Sequence, residues 1–177
     1  VKPHYKNYRW LQRSSQGYHE YVLEKVMQCV LDKDDIYIDV GSQVGMTVTL
    51  GANIVGSGGR VIAIEPDLYN FSILKHVVKI NKSSNIVDLN NVAIGKEIGI
   101  EKFLNETLSG VNRVGEGSEE GVEIPVTTID HIVESKSINE LSFIKIDVDG
   151  PDLDVAVGGI ETIKKYHPVI AIEVSMY

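Results

Sequence analysis

The chain has 177 residues, 43% of them hydrophobic and 24% charged, a length and balance that suit one globular domain. No apolar run approaches the roughly 18 residues that a membrane span requires, and a net charge of −8 works against binding the phosphates of a nucleic acid, so membrane and nucleic acid are both set aside as partners. The single cysteine, Cys29, has no internal disulfide partner. Its apolar helical surroundings predict a buried thiol in a reducing, cytoplasmic protein. The sequence starts at Val1 with no basic-then-apolar signal segment, which leaves room for a larger parent chain.

Along the chain, His4, Tyr5, Tyr8, Arg9 and Trp10 mix aromatics with cations. That composition suits a segment packed on the domain, and equally a lid over a carbohydrate or cofactor. Tyr18, Val22, Val26, Cys29 and Val30 recur at near-helical spacing, predicting a helix over 18–31 whose apolar face packs on a sheet. Residues 1–35 are therefore read as an N-terminal segment and helix, and 36–177 as the main body of one domain. Ile36 to Val40 is a short β-branched run stopped by Gly41, followed by a helix over 44–55 and a glycine-rich turn at 56–59. Val61 to Glu65 is a second buried strand broken by Pro66, with a helix over 69–81. A third strand is expected within 86–94, a fourth at 143–147 and a fifth at 169–174, with one helix over 153–166. Five apolar strands separated by helices predict a parallel, doubly wound α/β sheet. Residues 100–104 and 122–126 interrupt that rhythm as an inserted hairpin or flap around an acidic loop.

The chemistry concentrates at Asp39-Val40-Gly41-Ser42-Gln43-Val44-Gly45, where the first strand gives way to the first following helix. An open α/β sheet presents its ligand crevice there. Gly41 and Gly45 allow a sharp turn and a close backbone approach. Glu65 stands at the end of the second strand, where such folds place an acid to accept hydrogen bonds from ribose hydroxyls. A pyrophosphate would favour a third glycine in the turn, and Asp39 would repel it. An acid before the turn suits instead a ligand with a cationic end, such as the sulfonium and amino group of S-adenosylmethionine. A nicotinamide-dependent oxidoreductase domain and a catalytically inactive cofactor-binding or interaction module are the rival readings.

Together with VIAIEPD (61–67), VTTIDHI (126–132) and FIKIDVDGPDLDVAVG (143–158), the chain resembles the FkbM family of methyltransferases over about 36–174. That family's signatures are similar to D-V-G-A-N-x-G, V-x-A-x-E-P, T-x-D and I-K-I-D-V-E-G-x-E-x-x-V-L-x-G. The resemblance implies a Rossmann-like class I methyltransferase fold and methyl transfer from S-adenosylmethionine, often to a hydroxyl oxygen of a sugar or natural product. It puts Asp39, Gly41, Ser42 and Gly45 on the first cofactor loop, Glu65 and Pro66 at the ribose, and Asn91 and Ala93 near the adenine. Asp147 falls at the end of the fourth strand, beside the methyl group. The chain departs from the pattern at Gln43, Asp149, Pro151, Asp152 and Asp154, where the family usually has Asn, Glu, an aromatic or apolar residue, and two longer acids.

Asp147, Asp149 and Glu173 are the catalytic candidates, to position an acceptor hydroxyl or take its proton. For Asp149 and Asp152 the alternative is capping the following helix, while an acid in the apolar fifth strand, Glu173, needs a donor or the crevice. His131 and His167 read as structural or solvent-facing, and no His or further carboxylate stands at a spacing that would make a metal site. Class I methyltransferase sheets ordinarily continue past the fifth strand with a helix and an antiparallel hairpin, for which little chain remains after Val174. The sequence thus predicts an exposed sheet edge covered by another segment or by a second subunit of a homo-oligomer.

Overall fold

The computed structural model describes residues 18–104, 113–114, 122–148 and 152–173. In chain order the elements are α1 (Tyr18–Val30), β1 (Ile36–Val40), α2 (Met46–Val55), β2 (Arg60–Ile64), α3 (Leu68–Ile80), β3 (Val87–Asn90), β4 (Ala93–Ile94), β5 (Gly99–Leu104), β6 (Arg113–Val114), β7 (Val122–Thr127), α4 (Ile129–Ser135), β8 (Phe143–Ile146), α5 (Asp152–Val157), α6 (Ile160–Tyr166) and β9 (Val169–Ile172). No helix among the described residues is long and apolar enough to cross a membrane.

The main sheet has the order β3-β2-β1-β8-β9, and every neighbouring pair is parallel. The chain winds outward from β1 through β2 to β3, then returns to the other side of β1 as β8 and β9. Strand order therefore reverses between β1 and β8, and an α/β sheet opens its crevice at the carboxyl ends of the strands flanking such a reversal.

These strands read as continuous apolar runs because both faces are covered. Ile38, Val40, Ile62, Ile64, Ile144 and Ile146 pack with Ile129, Ile132 and Val133 of α4 and Val155 of α5. On the other face Tyr37, Val61, Ala63 and Phe143 meet Met27 of α1, Val48, Ala52 and Val55 of α2, and Leu74 and Val78 of α3. The rings of Tyr37 and Phe143 lie 5.5 Å apart at 50°, within the favourable range for a tilted aromatic pair.

The inserted hairpin is present as an antiparallel β5–β7 pair, extended by β6, but its sheet also takes in β4, which runs parallel to β7. The expected single strand over 86–94 is thus two strands in two sheets. The chain leaves the main sheet after Asn90 and starts the second at Ala93, whose side chain is buried with Ile124 and Val126. The expected single helix over 153–166 is also two. It breaks at Gly158-Gly159, where a Cβ on Gly158 would collide with the Gly95 carbonyl and one on Gly159 would crowd Ile129.

Two further corrections concern α1. Its buried residue is Met27, followed by Leu31 just beyond the helix, with Leu23, Val26 and Val30 half-buried, whereas Val22 is exposed. Cys29 is exposed as well, because two residues beyond Met27 the helix has turned about 200° away from the sheet. Residues 1–17, including the aromatic and basic stretch from His4 to Trp10, lie outside the described residues. So do residues 174–177.

Candidate functional site

Asn90, Ile64, Val40, Ile146 and Ile172 stand in register across all five strands. One residue further on, the chain presents Asn91, Glu65, Gly41, Asp147 and Glu173 as a row along the carboxyl edge. At about 4.8 Å per strand, Glu65 and Asp147 sit on strands roughly 10 Å apart, with Gly41 between them. Five residues chosen from separate stretches of sequence therefore share one edge of one sheet.

The loop between β1 and α2 is tightly built. Gly41, Gln43 and Gly45 have φ of 77°, 47° and 92°, a left-handed region that glycine tolerates and longer side chains adopt at a cost. Glycine has a packing reason too: a Cβ on Gly41 would overlap the Asp147 carbonyl oxygen, and one on Gly45 would lie 2.6 Å from Leu74 Cδ1. The backbone N–H groups of Gly41 and Ser42 both donate to the Ile64 carbonyl at 3.0 Å. The Ser42 hydroxyl donates to the Asp39 carbonyl and accepts from Ile64 N. Ser42 thus ties the loop to β1 and β2.

Glu65 is 4% exposed. Its carboxylate accepts from Gln43 N at 2.8 Å and from Asp67 N at 2.9 Å. Burial pushes its carboxyl up to about 7, and those two backbone bonds only partly offset the effect. A carboxylate has about four acceptor positions, so acceptor capacity remains beyond these two bonds. Asn91 donates to the Glu65 and Pro66 carbonyls, holding the end of β2 in place, while Ala93 turns into the small core of the second sheet. Asp67 caps α3 by accepting from Asn70 N at 2.7 Å, the arrangement that suits an acid at a helix start. Leu68 and Tyr69 follow it, both exposed.

On the other side of the loop lies a buried charged cluster that sequence reasoning missed. Asp39 is fully buried; its Oδ2 accepts from the hydroxyls of Tyr37 at 2.6 Å and Thr47 at 2.5 Å. Its Oδ1 has no hydrogen-bond partner. Lys145, directly across from Asp39 in register, has Nζ 2.8 Å from the Gly41 carbonyl, 3.2 Å from Asp147 Oδ2 and 3.5 Å from Asp39 Oδ1. Burial by itself would lower the Lys145 ammonium, but Asp39 and Asp147 pull it above its ordinary value, so it is charged. Burial would raise the Asp147 carboxyl, yet Lys145 and a hydrogen bond with Glu173 hold it below the usual carboxylate range. Burial, reinforced by Asp39, pushes the Tyr37 hydroxyl well up and keeps it a donor. The signal in the sequence was Lys145 itself, a cation inside the apolar run Phe143 to Ile146 that has to find partners.

Glu173 follows β9 directly, with its backbone N–H bonded to the Ile146 carbonyl at 3.0 Å and its carboxyl bonded to Asp147. Asp149 and Pro151 lie outside the described residues. Asp152 is buried and accepts from Val148 N at 3.0 Å, and Asp154 is exposed on α5. Asp130, in the T-x-D segment, reaches across to accept from Thr162 N and Glu161 N at 2.8 and 3.2 Å, capping α6. Thr128 caps α4. His131 and His167 are exposed. A cleft of about 500 Å³ lies at the opposite edge of the sheet, lined by Asp34, Ile36, Arg60, Ile86, Asp88 and Glu140 among others, and none of the predicted residues borders it. Among the described residues no group of three or more His, Cys, Asp or Glu is placed to hold a metal ion.

The methyltransferase FkbM domain model matches residues 39–177. Among solved structures, methyltransferase FkbM from Methylobacillus flagellatus is similar at 21% identity and a TM-score of 0.61, covering 90% of this chain and 36% of that one. An rRNA methylase from Streptococcus thermophilus is similar at 12% identity and a TM-score of 0.51, covering 85% and 68% of the two chains. This chain therefore spans about a third of the length of the Methylobacillus protein, and at these identities the likeness is one of fold. No curated protein matches the chain. With the family model running from Asp39 at the mouth of the crevice through all the strands that follow, the chain belongs to the FkbM methyltransferase domain family.

Proposed function

We propose that the chain transfers a methyl group from S-adenosylmethionine to a hydroxyl oxygen of a small-molecule or carbohydrate acceptor. The observation that carries this reading is the edge row, with Glu65 on one side of the Gly41 loop and the Asp147–Glu173 pair on the other. The donor set fits the cofactor. Asp39 and Asp147 flank a single ammonium, a surplus of acid that favours a cationic sulfonium and disfavours a pyrophosphate. Asp39 Oδ1 is buried, has no hydrogen bond and faces the Lys145 ammonium at 3.5 Å, so the ammonium side of this acid is already taken up by the chain itself.

When bound, the cofactor supplies an electrophilic methyl group. Glu65 accepts hydrogen bonds from the ribose, and the rigid Gly41–Gly45 loop fixes where the ligand rests. Asp147, kept ionised by Lys145, orients the acceptor hydroxyl and takes its proton at a carboxylate oxygen. Glu173 restrains Asp147 from the neighbouring strand. Calorimetric titration with S-adenosylmethionine beside NAD, followed by transfer of a labelled methyl group to a panel of hydroxylated acceptors, tests the reading. Saturable binding of S-adenosylmethionine with label on acceptor oxygen is expected. Binding of NAD alone would overturn it, and cofactor binding with label on nitrogen or carbon would overturn the oxygen assignment.

A further inference from the structure

We propose that Lys145 is the positioning residue of the crevice: its ammonium grips the Gly41 carbonyl and the carboxylates of Asp39 and Asp147, so that the cofactor loop and the acceptor-side acid are assembled before any ligand arrives. An ammonium has three donors, and three acceptors stand within 3.5 Å of Nζ, two from the β1 side and one from Asp147, the residue after β8. These acceptors belong to the three groups that the proposed function uses, and the inference rests on that reading. Stability alone does not account for the arrangement, because a buried ion pair gains little over apolar residues of similar volume. Lys145 sits between Ile144 and Ile146, in a strand where every other side chain is apolar and fully buried.

The bond to Gly41 is the informative one. A carbonyl in a left-handed turn at φ 77° is set by what binds it, and Lys145 binds it from the neighbouring strand, 104 residues away in sequence. Without the ammonium, Asp39 and Asp147 would face each other as like charges. The loop would also lose its only side-chain tether to β8 among the described hydrogen bonds.

Calorimetric titration of S-adenosylmethionine and S-adenosylhomocysteine into the full chain, its Lys145→Met and its Lys145→Arg variants tests the proposal, each variant first shown to be folded by circular dichroism. Lys145→Met is expected to weaken both ligands at least tenfold, and Lys145→Arg, which keeps a charged donor, to remain within about threefold of wild type. A folded Lys145→Met that binds as wild type overturns the proposal, as does an arginine variant that fails to rescue. The wild-type chain labelled with 15N-lysine provides a second readout that survives a methionine variant too unstable to study. The Lys145 ammonium signal, identified by its absence in the arginine variant, is expected to be protected from solvent exchange in the unliganded chain and to remain so on saturation with S-adenosylhomocysteine. A signal seen only after ligand is added overturns the proposal. Failure of the wild-type chain to bind either compound overturns the methyltransferase reading instead, and this inference with it.

Discussion

The substitution Glu65→Gln probes the edge row through stability rather than activity. Burial raises the Glu65 carboxyl from 4.5 to about 7 in the folded protein. Between those values the native state holds a proton that the unfolded chain has released, so Glu65 makes stability fall as pH rises through that window and leaves it level above about 7. At roughly 1.4 kcal/mol for each tenfold change in proton affinity, the displacement amounts to about 3 kcal/mol. The glutamine side chain does not titrate. It loses one of the two backbone N–H bonds now held by the carboxylate, at a cost of about 1 kcal/mol that is the same at every pH. Urea denaturation of both proteins from pH 4.5 to pH 8 should show the variant gaining about 3 kcal/mol on the wild type across that range. Parallel stability curves, within about 0.5 kcal/mol throughout, would refute the claim that a desolvated Glu65 titrates near neutrality.

Three other substitutions separate the groups around the loop. Asp147→Asn should leave S-adenosylmethionine affinity within about threefold while lowering turnover on an identified acceptor about a hundredfold, the usual scale for a lost general base; equal losses in both would place Asp147 in cofactor binding only. Gly41→Ala, with a positive φ and the Asp147 carbonyl in the way, should destabilise by more than about 2 kcal/mol in denaturant titrations and lose cofactor binding in calorimetry, and a variant as stable as wild type would contradict the packing described. Asp88 is held below the usual carboxylate range because hydrogen bonds from Lys136 and Arg60 outweigh the upward push of burial. Its contribution is present above the ordinary carboxylate pKa and lost as pH falls through its lowered folded-state value, so Asp88→Asn should cost about 1 kcal/mol at pH 7 in urea titrations and progressively less as pH falls below the ordinary carboxylate range.

The five main strands and the site edge were legible because a parallel sheet covered on both faces demands continuous apolar runs, and the crevice residues are whatever follows each run. Gly41, Glu65, Asp147 and Glu173 could thus be picked without knowing the pairing. The break at Asn91-Val92 was not legible, since both halves of 86–94 are β-formers and nothing local says that they belong to different sheets. The break at Gly158-Gly159 was visible as two glycines, but the reason no side chain fits at Gly158 is the distant Gly95 carbonyl. Asp130 stood out in a family-like segment, yet its task is to cap a helix some thirty residues further on, a contact no spacing rule reveals. Gln43 is a departure whose meaning came from the backbone. At φ 47° an asparagine, the family's usual choice, is the easier residue.

The placement of β8 between β1 and β9 also sets the order in which the molecule can be completed. Strands β1, β2 and β3 are contiguous along the chain and can assemble early, but β1 then presents the Asp39 carboxylate on an open flank until the strand bearing Lys145 arrives. Closure over so long a loop is slow. During synthesis the N-terminal half would wait with an exposed strand edge and an uncompensated acid, a combination that discourages premature burial and edge pairing alike. Seating the ammonium would then be a late event in folding, with β9 and Glu173 left to complete the sheet and the edge row after it.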